Sequence, residues 1–84
     1  MNNKILIELY IPVINKSYNI FIPPGKTVKT VTELLKKSLN DLVNVPSDFI
    51  ASLVLCDGFT GSIINPKLNV KEAGLKNGSR VLLI

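Results

Sequence analysis

The sequence predicts an α+β fold in which a mixed sheet of four to five strands packs on one helix. Three features carry this prediction: an amphipathic segment at residues 27–43, alternating apolar residues before it, and short apolar runs after it. A helix with one apolar face must be covered, and strands on both sides of it along the chain can supply the covering sheet. The 84 residues are expected to form one domain, residues 1–84.

The first two strands are expected to form a hairpin. Apolar residues occupy the odd positions of residues 5–11, which places them on one face of a strand. Residues 12–17 supply turn chemistry through a proline, an asparagine and a serine. In the second strand, residues 18–22, the even positions share one face, and Phe21 lies on the other.

The segment at residues 27–43 is the predicted helix. Residues 23–25, Pro-Pro-Gly, end the preceding strand, and Thr27 is the expected N-cap. Pro46 biases Val45 away from helical geometry, so the helix should end near residue 43. The apolar stripe that should face the sheet consists of Val28, Val31, Leu35, Leu39 and Leu42, widened by Leu34.

Four further elements are expected after the helix. Residues 50–56 predict a third strand, and residues 62–64 predict a short strand at the edge of the sheet. Residues 68–75 have unevenly spaced apolar residues followed by a glycine, which predicts a single tight helical turn. After the Lys-Asn-Gly-Ser turn at residues 76–79, residues 80–84 predict the last strand.

This order of elements resembles ubiquitin and the β-grasp fold over residues 5–84. Residues 18–27 match the family's second strand, its proline and its helix-capping threonine. Val28, Val31 and Leu35 match helix core positions, and residues 70–84 match the turn, loop and final strand that close the sheet. The resemblance implies a ubiquitin-like β-grasp fold.

Two classes of β-grasp protein need residues that this sequence lacks. Conjugated modifiers and sulfur carriers need a mobile tail ending in Gly-Gly, whereas this sequence stops at Ile84 in the last strand, so we expect a protein that is not a conjugated modifier. A ferredoxin of this fold needs four cysteines for its cluster, and Cys56 is the one cysteine present.

The closing stretch at residues 74–82 is similar to the end of YukD/EsaB-like proteins, which are small and tailless. This resemblance implies a cytoplasmic accessory or regulator of a type VII secretion system in a Gram-positive bacterium. The abundance of Asn, Lys and Ile is compatible with an AT-rich genome of that origin.

The composition argues against an enzyme, a metal site or a cofactor. The sequence contains no histidine and a single cysteine, its six acids show no paired spacing, and no glycine-rich loop has a phosphate-binding form. No stretch approaches the roughly 18 apolar residues of a membrane span. We therefore expect a non-enzymatic cytoplasmic protein that does not insert into a membrane.

A protein-binding patch is expected on the face of the sheet opposite the helix. The residues assigned to it are Leu6, Tyr10, Phe21, Val54, Leu82 and Ile84. An open sheet normally exposes polar residues on its solvated face, so a contiguous apolar area indicates an interface with a protein partner or a second copy of the chain. By resemblance, Leu82 and Ile84 fall where ubiquitin's own recognition patch lies.

The alternative function is nucleic-acid binding by a TGS-like β-grasp domain, in which a basic helix face tracks phosphates. Lys26, Lys29, Lys36 and Lys37 lie in or just before the helix, and the net charge is +4. The sequence disfavours this alternative because Arg80 is the single arginine and no aromatic residue lies on the helix to stack on bases.

Overall fold

The computed structural model describes residues 3–84, which contain a mixed four-stranded sheet and one main helix. The elements in chain order are β1 (Ile5–Ile11), a 3₁₀ turn (Pro12–Ile14), β2 (Lys16–Ile22), α1 (Val28–Leu42), α2 (Ser47–Ala51), β3 (Leu55–Asp57) and β4 (Arg80–Leu83). This is the α+β arrangement that the sequence predicts.

The strands lie in the order β2-β1-β4-β3. The pairs β1–β2 and β3–β4 are antiparallel, whereas β1 and β4 are parallel. The last strand of the chain therefore lies inside the sheet, between the first strand and the third. Each strand presents alternate residues to α1 and to the opposite side of the sheet, which we call the outer face.

The β1–β2 hairpin turns at Asn15, which has a left-handed backbone conformation with φ of 51°. Asparagine tolerates this conformation better than most residues. The Asn15 amide donates to the Pro12 carbonyl at 3.0 Å, which closes the turn. Strand β2 consequently begins at Lys16, which pairs with Ile11, two residues earlier than predicted.

The start of α1 is capped by its own threonine and by a distant loop. Thr27 Oγ1 accepts a hydrogen bond from the Thr30 amide at 3.1 Å, as predicted for an N-cap. The next two free amides, of Val28 and Lys29, donate to the carbonyls of Leu68 (2.8 Å) and Pro66 (3.0 Å). Three backbone donors that a helix start leaves unpaired thus have partners, and residues 66–68 are fixed to the helix.

The core lies between α1 and the inner face of the sheet. Its buried residues are Ile7, Leu9, Ile11, Ile22, Val28, Val31, Leu39, Ile50, Leu53, Leu55, Val70, Leu75, Val81 and Leu83. The prediction that Leu34 and Leu42 face this core is wrong, because they are 54% and 69% exposed. Leu34 lies about 100° around the helix from Leu35, and beyond Leu42 it is Val43 and Val45 that pack on the core.

The prediction of a strand over residues 50–56 is wrong for its first half. Pro46 starts the one-turn helix α2 instead, and its carbonyl accepts from the amides of Phe49 (3.1 Å) and Ile50 (3.3 Å). Ile50 and Leu53 are buried as an apolar run suggests, but they reach the core from a helix and the turn after it. Strand β3 occupies residues 55–57.

The predicted edge strand at residues 62–64 is reduced to a single bridge between Cys56 and Ile63. Two hydrogen bonds flank this bridge, from the Asp57 amide to the Ser62 carbonyl (2.8 Å) and from the Ile64 amide to the Leu55 carbonyl (3.0 Å). The sheet of the described chain therefore has four strands and a short backbone segment against β3.

Residues 68–75 contain hydrogen-bonded turns, as the sequence predicts. The Ala73 amide donates to the Asn69 carbonyl at 2.9 Å, with the spacing of one helical turn. Val70 and Leu75 from this segment are buried in the core. The segment therefore closes the end of the core next to the start of α1.

Candidate functional site

Strand pairing places all six residues of the predicted patch on the outer face. Tyr10 pairs with Leu82, and Leu6 pairs with Phe21, while the odd-numbered residues of β1 that alternate with them point into the core. Val54 and Ile84 exchange two backbone hydrogen bonds, from the Val54 amide at 2.6 Å and from the Ile84 amide at 3.0 Å. The same alternation puts Ile84 on the side of Leu82.

Four of the six residues form one group at the end of the outer face where β1 stops. Tyr10 lies on β1 and Leu82 on β4, while Val54 directly precedes β3 and Ile84 directly follows β4. Val54 and Ile84 are 39% and 45% exposed. The Tyr10 hydroxyl donates to Asn15 Oδ1 at 2.9 Å, which fixes the ring at the border of the group. We call this group, together with Ile63, the apolar end of the outer face.

Ile63 was not assigned to the patch from sequence, although it is 68% exposed. Ile63 and Cys56 form an antiparallel bridge in which the neighbouring residues, not these two, make the backbone hydrogen bonds. In such a pair the two side chains lie close together on the same face of the sheet. The row of paired residues across the sheet is thus Ser17, Tyr10, Leu82, Cys56 and Ile63. The available signal was the Ser-Ile-Ile sequence of the predicted edge strand at residues 62–64.

A polar row separates the apolar end from the other two predicted residues. Glu8 pairs with Asn19 on one side and with Arg80 on the other, and Glu8 Oε1 accepts from Arg80 Nε at 2.8 Å. Leu6 and Phe21 lie beyond this row, at the end of the face where β1 begins. The expectation of one continuous apolar patch is therefore wrong, because two apolar clusters flank an exposed ion pair.

Phe59 was also missed in the sequence analysis, because it follows the predicted strand within a glycine-containing turn. Its side chain is 79% exposed, and the guanidinium carbon of Arg80 lies 6.0 Å from the ring centroid. The amides of Thr60 and Phe59 donate to the Asp57 carboxylate at 3.0 and 2.7 Å, and they hold the pKa of that carboxyl below its usual value. The turn is thus ordered, and it presents Phe59 beside the polar row.

Cys56 belongs to the outer face but is covered. The side chain is 1% exposed and lies outside the cluster that packs on α1. Burial raises the pKa of the Cys56 thiol, so the neutral form predominates at neutral pH. Its position between Leu82 and Ile63 makes it part of the apolar support of the face rather than an exposed nucleophile.

The basic helix residues do not form one unobstructed phosphate-binding face. Lys36 Nζ donates to the Ala51 carbonyl at 2.9 Å, which connects α1 to α2. Glu33 lies four residues after Lys29 and three before Lys36, on the same side of the helix. Among residues 3–84, no group of three His, Cys, Asp or Glu side chains could hold a metal ion.

No helix in the described part of the chain has the length and apolar character needed to cross a membrane. No protein-family model matches the sequence, and no curated protein matches it. Similarity is found instead among solved structures.

Three solved structures illustrate this similarity. Caldiarchaeum subterraneum ubiquitin superposes with a TM-score of 0.74 at 17% identity, covering 98% of this chain and 92% of that one. The ubiquitin-like domain of the Mycobacterium tuberculosis type VII secretion system protein ECCD1 gives 0.71 at 11% identity, covering 99% of each chain. The EccD5 ubiquitin-like domain from Mycobacterium xenopi gives 0.70 at 13% identity, covering 99% of this chain and 94% of that one.

These similarities extend over nearly the whole chain. The fold class expected from the sequence is confirmed: the chain has the ubiquitin-like β-grasp fold, with a mixed four-stranded sheet and one main helix.

Proposed function

We propose that the protein is a non-enzymatic protein-interaction module that binds a protein partner through the apolar end of its outer face. The observation that carries this proposal is the exposure of Val54, Ile84 and Ile63 on one side of the sheet, around a half-buried Leu82. A sheet face that meets only water normally carries polar residues, and a contiguous apolar area there usually marks an interface.

The organisation of the face supports the proposal in a second way. Protein interfaces commonly have an apolar centre and a polar border. Here the Glu8–Arg80 ion pair borders the apolar end, and the anchored Tyr10 limits it on another side. Because these side chains lie on paired strands, little conformational freedom would be lost on binding.

Leu6 and Phe21 would lie at the margin of the interface. Phe21 is 65% exposed, but it is separated from Leu82 by the polar row. A standard interface buries about 800 Å² per partner, which is large enough to extend past one ion pair. We therefore assign the centre of the interface to the apolar end and a smaller contribution to Phe21.

We further propose that the partner belongs to a type VII secretion apparatus and that the protein acts in the bacterial cytoplasm as a YukD/EsaB-like accessory. Two observations support this pathway: the similarity of residues 74–82 to the end of YukD/EsaB-like proteins, and the whole-chain structural similarity to ubiquitin-like domains of two mycobacterial type VII secretion proteins. The alternative partner is a second copy of this chain, which would form a homodimer.

The test is affinity capture from a lysate of the source organism with four forms of the protein. These are the wild type, Leu82→Glu, Ile84→Glu, and Leu34→Glu as a matched control on α1, which is 54% exposed and lies off the sheet. A carboxylate buried without a partner in an apolar interface should weaken binding by at least about tenfold. Circular dichroism must show that all variants are folded.

Capture of secretion ATPase or channel components by the wild type and Leu34→Glu, but not by the two sheet variants, would support the partner and the surface. Equal capture by all four forms would overturn the assignment of the surface. If the wild type recovers only its own copies, and the sheet variants are monomeric in analytical ultracentrifugation, the face is a homodimer interface and the secretion assignment is wrong.

A further inference from the structure

A second surface lies at the opposite end of the sheet from the apolar end, where β1 begins. A depression of about 750 Å³ is lined there by residues from three segments of the chain. Its lining residues are Asn3, Lys4, Ile5, Pro23, Pro24, Gly25, Asn69, Lys71, Leu75, Lys76 and Asn77. We call this depression the basin. It is wide and open to solvent, and large enough to receive a short segment of a partner chain.

The basin carries positive charge that no acid of its lining balances. Within the described chain, Lys4, Lys71 and Lys76 line it, and no aspartate or glutamate does. The one ion pair found within residues 3–84 joins Glu8 to Arg80, on the outer face. The Glu72 carboxylate, whose Oε1 accepts from the Asn69 amide at 3.0 Å, lies beside the lining, so three positive charges stand against one neighbouring negative charge. The field of the three ammonium groups therefore favours an anionic ligand.

The backbone that carries Lys71 and Lys76 is held in place from several sides. The Lys71 amide donates to the Pro24 carbonyl at 3.1 Å, and the Lys76 amide donates to Ser79 Oγ at 2.9 Å. Asn77 Oδ1 accepts from the Leu6 amide at 2.7 Å, which fixes the loop to β1. The Lys71–Asn77 side of the basin is thus formed before any ligand arrives, which lowers the entropy cost of binding.

The rest of the lining is apolar rather than aromatic. Apolar surface comes from Ile5, Pro23, Pro24 and Leu75, whereas none of the lining residues that the structure describes is aromatic or an arginine. Single-stranded nucleic acids are usually held by aromatic stacking together with basic groups. Lysines around aliphatic surface instead match a chain segment that alternates carboxylates with aliphatic side chains.

We propose that the basin binds an acidic peptide segment of a partner protein. Carboxylates of the segment meet the ammonium groups of Lys4, Lys71 and Lys76, and its aliphatic side chains contact Ile5 and the two prolines. This contact is independent of the apolar end, because the two surfaces lie at opposite ends of β1.

The test measures binding by fluorescence anisotropy with a dye-labelled peptide of repeating Glu-Glu-Leu units. A dye-labelled oligothymidylate of equal charge is measured in the same way, as the probe for nucleic acid. The basin variant combines Lys4→Gln, Lys71→Gln and Lys76→Gln. The matched control combines Lys16→Gln, Lys29→Gln and Lys37→Gln, which line no part of the basin. Both variants lower the net charge of +4 by the same amount.

We expect the basin variant to bind the acidic peptide about tenfold more weakly than the wild type, because it loses three exposed charge pairs at once. The control variant should bind within about threefold of the wild type, and Leu82→Glu should bind equally well. Amide chemical shifts of Lys71, Lys76 and Asn77 should move on titration with the peptide.

Three results would overturn the proposal. Equal loss in the basin and control variants would show that binding follows net charge alone. No binding of the peptide by the wild type at low salt would show that an acidic peptide is not the ligand of the basin. Tighter binding of oligothymidylate than of the peptide, lost only in the basin variant, would assign the basin to nucleic acid.

Discussion

Gly58 lies at the point where the chain leaves β3 and passes closest to β4. Its amide donates to the Arg80 carbonyl at 2.8 Å. A Cβ atom built on Gly58 would lie 2.7 Å from Arg80 Cβ and 2.7 Å from the Arg80 carbonyl oxygen. Separations this short do not occur in folded proteins, and two of the three nearest atoms belong to the backbone, which cannot rotate away. The Gly58→Ala substitution must therefore push the two segments apart.

The cost follows from two contributions. Overpacking in a well-packed region typically costs 1–3 kcal/mol, roughly 2 kcal/mol here. Loss of the Gly58–Arg80 hydrogen bond would add about 1 kcal/mol. We expect Gly58→Ala to lower the free energy of unfolding by roughly 2–3 kcal/mol, a large share of the 5–15 kcal/mol typical of a domain.

Gly25→Ala is the matched control. No atom of residues 3–84 lies within 4 Å of a Cβ built at Gly25, and its φ is outside the left-handed region. This substitution should leave stability unchanged or raise it by about 0.4–1 kcal/mol, since alanine restricts the unfolded chain. The assay is urea unfolding followed by far-ultraviolet circular dichroism, with the slopes compared for both variants. A Gly58→Ala stability within about 0.5 kcal/mol of that of Gly25→Ala would refute the steric argument.

Two further outcomes are expected. Thr27→Ala should destabilise the protein by about 1 kcal/mol, whereas Thr27→Ser should not, because the Thr30 amide loses its acceptor only in the alanine variant. Equal midpoints of urea unfolding for the two variants would contradict the capping role. Cys56 should react slowly with a thiol reagent in the folded protein. Because burial raises the pKa of the Cys56 thiol, the stability that the neutral thiol contributes is present below the ordinary thiol pKa and is lost as the pH rises through the folded pKa. A Cys56→Ala variant whose stability has the same alkaline pH dependence as that of the wild type would disprove this cause.

The elements that were predicted correctly are those whose signals are local. The helix needs only its 3.6-residue periodicity, Thr27 before it and Pro46 after it, and its observed range of Val28–Leu42 lies within one residue of the prediction. Strand β1 needs only its alternation. The run from Ile50 to Leu53 was misassigned because a short apolar segment fits a buried strand and a helix equally well. The Pro-Ser-Asp sequence before it was the overlooked helix start.

The candidate site was only partly predictable, because it depends on which strands become neighbours. Alternation along β1 placed Leu6 and Tyr10 on the outer face. Alternation alone could not place Glu8 beside Arg80, since that contact depends on the parallel register of two strands that are separated by most of the sequence. The polar row and the division of the apolar surface follow from that register.

The position of β4 between β1 and β3 also governs when the protein can fold. Until residues 80–83 are available, β1 has an unpaired edge, β3 has no partner in the sheet, and the core lacks Val81 and Leu83. The β1–β2 hairpin and α1 contain mainly local contacts, but closing the sheet joins segments more than 70 residues apart, such as Leu9 and Val81. During synthesis on the ribosome the sheet can therefore close only after residues 80–83 have left the exit tunnel.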